Sequence, residues 1–344
     1  MIRWAPFREI LLARMREALR EPEIVFWAFF FPLLLSLALG IAFRNKPPEK
    51  VYVAIERGPG AEGIRATLSA DERFMAEVAS PDECARQLRL GKAAIVIAAG
   101  SGLEYRYDPT RPDSVLARTL VDDAIQRAAG RKDARPPTEK TVSEPGARYI
   151  DFLIPGLIGM NLMSAGMWGV GFAIVDMRTR KLLKRLVATP MRKSEFLAAM
   201  ISSRFLFMAV ELTLLLAFGR LVFGVEVRGS LLAPFLLGIV GALTFASLGL
   251  LIATRAQRIE TISGLMNLVM MPMFIFSGTF FSSERFPDYA QPFIQALPLT
   301  LLNDALRAVI NEGASIASQG LRLGGLGLWM VICFTLSLRL FRWS

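Results

Sequence analysis

An uncharged apolar run at 24–43, IVFWAFFFPLLLSLALGIAF, stands alone ahead of about a hundred mostly polar residues. Five further apolar runs then lie close together, near 149–175, 198–224, 230–254, 259–281 and 321–340. Crossing the hydrocarbon core of a bilayer takes about 20 predominantly apolar residues in a helix. The layout therefore predicts an α-helical integral membrane protein with six transmembrane helices and one large insertion. The expected division is 1–22 as an interfacial helix, 23–43 as the first span, 44–148 as the insertion and 149–344 as a five-helix transmembrane domain.

Composition sharpens this. Of the 344 residues, 53% are hydrophobic, above the range of about 45–50% usual for soluble domains, and the excess sits in blocks. The formal charge of +10 does not point to nucleic acid, because the cations crowd the ends of apolar runs. They are not interleaved with aromatics as on a single-strand-binding face. Cys84 lies in the insertion and Cys333 midway along the last run, on different levels, so no disulfide framework is expected. Histidine is absent, which removes the commonest general base and metal ligand and argues against a hydrolase or metalloenzyme. No catalytic, cofactor-binding or metal-ligating residues are assigned.

Cation placement sets the expected orientation. Arg3, Arg8, Arg14, Arg16 and Arg20 precede the first run, and seven cations fall between runs two and three. Arg255 and Arg258 follow run four, and Arg339 and Arg342 end run six. The alternate side has Arg228, Arg285, Arg307 and Arg322. The insertion exceeds the loop length of about 60 residues to which the positive-inside rule applies. Both termini are thus expected in the cytoplasm and the insertion outside, in a multi-pass bacterial inner or plasma membrane protein. The first run is longer than a signal-peptide core of about 7–15 residues. Glu9, Glu17, Glu21 and Glu23 around its start also argue against cleavage.

Before that run, Trp4, Phe7, Ile10, Leu11, Met15, Ala18 and Leu19 recur at three- and four-residue steps opposite a basic face. This predicts an interfacial amphipathic helix, an anchor or a docking element, broken by Pro22. In the insertion, strand patterns at 51–55, 74–78, 93–98 and 103–107 alternate with helical stretches near 61–68, 80–90 and 113–129. Ser80-Pro81-Asp82-Glu83 has capping-box spacing. The expected insertion is a small mixed α/β domain serving as lid, partner platform or vestibule, with 131–145 as a proline-rich return linker.

The sharpest local signal is 176–196. Leu182, Leu183, Leu186 and Val187 fall at helical spacing among cations, ahead of Thr189-Pro190, where proline disfavours the α region for its predecessor. Such a helix either receives a push from a cytoplasmic partner or is pinned to anionic lipid. At the carboxy-terminal side, FSGTFF at 276–281 is followed by Phe286-Pro287, LPLT at 297–300 and Asp304-Ala305-Leu306-Arg307.

With these two stretches and the order of its runs, the chain resembles the permease subunits of ABC-2-type exporters that have an extracytoplasmic domain between their first two transmembrane helices. The resemblance covers the whole chain in layout and two motifs in detail: RTRKLLKRLVATP at 178–190, and the G-x-F-F…P…L-P-L-T…D-x-L-R block. It departs at Arg180-Lys181-Leu182, where many members have a Glu-Arg-Gly-like start. The resemblance implies ATPase coupling through Arg178, Lys181, Leu182, Leu183, Leu186, Ala188, Thr189 and Pro190. It also implies an outer re-entrant hairpin at 282–312 involving Gly278, Pro287, Pro298, Asp304 and Arg307. Pro287, Pro292 and Pro298 punctuate a stretch too broken to cross, and irregular backbone at that depth needs protein cover.

Within the runs, Glu211, Arg204, Asn161 and Asn267 are the intramembrane polar candidates. Glu211 lies near mid-membrane, where an ionisable group faces a bundle interior or cavity, while Arg204 lies close enough to an end to snorkel. Asn161 and Asn267 suit hydrogen bonds between helices, and Gly166, Gly169, Gly171, Gly238, Gly241 and Gly249 suit close helix approach. No G-x-x-x-x-G-K-[ST] phosphate loop occurs, since Gly91-Lys92 lacks the upstream glycine. ATP and Mg are therefore expected on a separate cytoplasmic ATP-binding subunit, with two permease chains, identical or homologous, in the working assembly. The expected cargo is an amphipathic drug, lipid or glycan. The alternative is a membrane-anchored sensor or scaffold whose outer domain binds a ligand. A periplasmic partner is left open.

Overall fold

The computed structural model describes residues 20–43, 50–99, 102–132, 148–181 and 193–340, together with 8, 9, 12, 15 and 16. The chain divides into two compact units, Asn45–Val142 and the remainder.

In the smaller unit, β1 (Val51–Glu56), β2 (Phe74–Ala79), β3 (Ile95–Ala99) and β4 (Leu103–Arg106) form one sheet in the order β2-β1-β3-β4. β1 pairs in parallel with both β2 and β3, and β4 returns antiparallel to β3. Parallel pairing requires crossovers, supplied by the helices Ala61–Ser69 and Pro81–Arg89. Alternation along β1 sends Val53 and Ile55 to one face, under Ala61, Leu68, Ala117 and Val121. Ala54 faces the other way, against Cys84 and Val96. The sheet is a small mixed α/β arrangement, as its residue pattern predicts. Only half of the capping box forms. Ser80 Oγ accepts from the Glu83 N–H at 3.3 Å, but the Glu83 carboxylate turns to Arg86 at 2.9 Å.

The larger unit is helical. Tyr149–Thr179, Ser202–Phe223, Leu232–Arg255, Ile259–Phe276 and Ile316–Leu340 are long and apolar enough to cross a membrane. These are runs two to six. Run one is helical over Phe26–Ala42, shorter than those five. Run five ends at Phe276, not near 281, because the chain turns at Gly278, whose φ of +70° favours glycine. After it, Asp288–Ala296 and Pro298–Asn311 meet at 85°. Leu297 between them is extended, the conformation proline imposes on its predecessor. Counting this bent pair as one span gives up to six.

Run two is the hub of the unit, with Leu153, Leu157, Met163 and Met167 fully buried. Two features were not legible in the residue pattern: π-helical turns at Phe26–Phe30 in run one and Trp168–Phe172 in run two. A π turn leaves backbone carbonyls short of donors and tends to mark functional positions. Asn161 of run two donates to the Ala28 carbonyl inside the first π turn at 3.0 Å.

Candidate functional site

The candidate residues fall into three groups, all in the helical unit. The first is the end of run two that leads into 182–190. Leu182, Leu183, Leu186, Ala188, Thr189 and Pro190 lie outside the described residues. Arg178 and Lys181 are described. Arg178 Nη1 donates to the Ala253 carbonyl at 3.3 Å and the Ala256 carbonyl at 2.9 Å. Those groups close the C-terminal end of run four, where helix carbonyls lack intrahelical donors. Arg180 pairs instead with Asp176 at 2.8 Å. Lys181 then takes φ +55°, the left-handed geometry of a residue just past a helix end.

The second group is the polar set on run three. Glu211 is 4% exposed and lines a narrow crevice, with no room for a water molecule, together with Ile158, Asn161, Leu162, Leu212 and Leu215. Its Oε2 has no partner among the described residues, and neither has the buried Nη2 of Arg204. Arg204 is half-buried. Its guanidinium lies over Gly169 in the second π turn, where an added Cβ would come within 3.0 Å of Cζ. The structure thus brings Glu211 and Asn161 together beside run one and sets Arg204 against run two. Asn267 is not brought into this set. It is exposed on run five, and among the described residues no hydrogen bond joins its amide to another helix.

The third group surrounds the bent helix pair. Arg307 donates to the Gly278 carbonyl and, at 3.4 Å through Nε, to the Phe152 carbonyl. It also lies 3.7 Å over the Phe152 ring and 3.5 Å from the Asp304 carboxylate. Asn303, fully buried, donates to the Ser277 carbonyl at 2.9 Å. Asn311 donates to the Asp151 carbonyl at 2.8 Å, and Tyr149 to the Phe280 carbonyl at 3.0 Å. Trp329 of run six holds the Ala296 carbonyl at the break, 2.8 Å away. Each donor engages at least one backbone carbonyl, so this block fixes the turn at 277–281 against run two and the bend at 297 against run six. Pro298 starts the second helix of the pair, and Pro287 precedes the 3-10 turn Asp288–Ala290. Asn303 was missed in the sequence, although a lone amide on an otherwise apolar helix face was the signal for it.

The glycines divide accordingly. Gly166 abuts Phe245 and Ala246, Gly171 abuts Gly249, and Gly241 abuts Leu302. A Cβ added at Gly238 would lie 3.2 Å from the Met208 sulfur.

The sequence profile described as "ABC-2 family transporter protein" matches residues 22–339. Among curated proteins, the chain is similar to "Probable multidrug ABC transporter permease YbhS" of Escherichia coli K12, 20% identical over 91% of this chain and 90% of that protein. It is similar to "ABC transporter G family member 20" of Dictyostelium discoideum, 27% identical over 52% of this chain and 24% of that protein. Similarity to "Nodulation protein J" of Bradyrhizobium diazoefficiens is 35% over 29% of this chain and 38% of that protein. The chain thus spans about a quarter of the Dictyostelium protein's length and nearly all of the Escherichia coli permease's.

Proposed function

Since the chain belongs to the ABC-2 family of transporter proteins, we propose that it is the permease subunit of an ATP-driven exporter whose ATPase is a separate cytoplasmic chain. The observation that carries this reading is the family match across 22–339 in a sequence that holds no phosphate loop. The cation distribution supports cytoplasmic termini and an extracytoplasmic 44–148. Two permease chains complete the pathway. The cargo is an amphipathic molecule taken from the cytoplasm or inner leaflet, a class the multidrug wording of the Escherichia coli relative favours.

The ATPase engages 182–190 beyond Lys181, and the apolar positions Leu182, Leu183 and Leu186 seat in it. The cycle needs two states with different affinity for cargo, because a ligand shifts an equilibrium only by its differential affinity. Glu211 and Arg204 are suited to that change. Each leaves a buried polar atom without a partner among the described residues, and an unpaired buried polar atom costs free energy until a rearrangement or a ligand satisfies it.

Replacing Leu182, Leu183 and Leu186 together by Asp is expected to abolish co-purification of the ATP-binding subunit while membrane insertion and detergent monodispersity stay normal. Retained co-purification sinks the assignment of 182–190 as the contact.

A further inference from the structure

We propose that Arg178 is a positioning residue that ties run two to run four, so that the two helices travel as one body when the segment after Lys181 is pushed. The inference rests on the coupling reading above for the push, but the tie itself stands on geometry. Runs two and four meet closely over 166–171 and 245–249. A Cβ added at Gly166 would lie 2.7 Å from Phe245 Cβ, one at Gly171 2.6 Å from the Gly249 carbonyl, and one at Gly249 2.8 Å from Met167 Cα. Such contacts leave no side-chain layer to slide on.

Arg178 closes this seam at the end next to 182–190. A helix C-terminus exposes carbonyls without donors and carries roughly half a negative charge. A guanidinium presents several donors in a planar fork, and Arg178 spends its Nη1 on two of those carbonyls, 2.9 and 3.3 Å away. The neighbouring Arg180 is engaged by Asp176. Ala253 and Ala256 are both fully buried where Arg178 meets them. At its opposite end run two is tied elsewhere: Arg148 donates to the Phe223 carbonyl of run three at 2.8 Å. The end nearest the coupling segment is therefore the end committed to run four.

The test places spin labels at Thr179→Cys and Arg255→Cys, both exposed, with Cys84 and Cys333 replaced by Ser. A second pair, Thr179→Cys with Glu260→Cys, reports run two against run five. Distances are measured in the permease alone and in its complex with the ATP-binding subunit trapped by ADP and vanadate. The 179–255 distribution is expected to be narrow and to keep its mean in both states, while the 179–260 mean shifts on trapping. Arg178→Gln should broaden the 179–255 distribution and let its mean move on trapping, and Arg178→Lys should restore much of the narrowness.

A 179–255 mean that shifts with Arg178 intact overturns the proposal. So does an Arg178→Gln distribution as narrow as the parent's in the permease alone. If trapping shifts neither pair, the coupling reading fails while the tie is still judged by the distributions in the isolated permease.

Discussion

Arg307 shows how much one side chain can hold. Its guanidinium serves the carbonyls of Gly278 and Phe152, the Phe152 ring and the Asp304 carboxylate. Cutting it to leucine strands those acceptors. Removing one partner from a buried, charge-assisted set costs about 3 kcal/mol or more, so Arg307→Leu is expected to lower the unfolding temperature in detergent sharply. An unchanged midpoint by differential scanning fluorimetry refutes that role. Gly156 gives a steric counterpart. A Cβ there would sit 2.5 Å from the Thr279 carbonyl, backbone that cannot swing aside, whereas Gly264 has open space around it. Gly156→Ala should destabilise and Gly264→Ala should not, by the same measurement. The residues of the G-x-F-F…D-x-L-R block were visible as a pattern in the sequence. Their task was not, because Phe152 lies 155 positions from Arg307 and no local periodicity encodes that meeting.

At the scale of elements, the insertion was largely readable because its signals are local. Alternation in VYVAI, proline after Ser80 and the glycines between β3 and β4 each act within a few residues. The π turns were not readable. The first takes a bond from Asn161, 133 positions away, which stabilises a carbonyl that an α-helical turn would have served itself.

Two phenols of the insertion make its stability pH-dependent. Tyr52 is pushed up to about 12, first by its hydrogen bond to the Glu77 carboxylate and then by burial. Tyr105 is pushed up to about 12 by burial and by Asp122, 3.2 Å away. The ordinary value is about 10. The folded insertion thus holds these protons more tightly than the unfolded chain does. Their contribution is complete below about pH 10 and lost as pH rises through about 12. Thermal unfolding of the full chain followed across that window should weaken with pH, and Tyr52→Phe with Tyr105→Phe should flatten the trend. An unaltered slope in the double variant contradicts the assignment.

For the molecule as a whole, the proposed orientation rests on charge asymmetry, while the fold itself is indifferent to which side is the cytoplasm. Residues 178–193 concentrate seven cations between runs two and three, whereas Arg228 is alone between runs three and four. Translocation penalises Lys and Arg near helix ends, so the proposed orientation puts the ends of run two at Thr179 and run four at Arg255 on the cytoplasmic side. In the proposed orientation the insertion is extracytoplasmic. The hydrogen bonds of Arg178 to run four are consistent in sense, since they require those two ends to share a side. Single cysteines separate the orientations. In a chain with Cys84 and Cys333 replaced by Ser, Lys92→Cys in the exposed turn before β3 should react with an impermeant maleimide on intact spheroplasts. Arg255→Cys should react only in inside-out vesicles. The reverse pattern inverts the orientation and removes 182–190 from the compartment where ATP is hydrolysed, and with it the route by which a separate ATPase drives this permease.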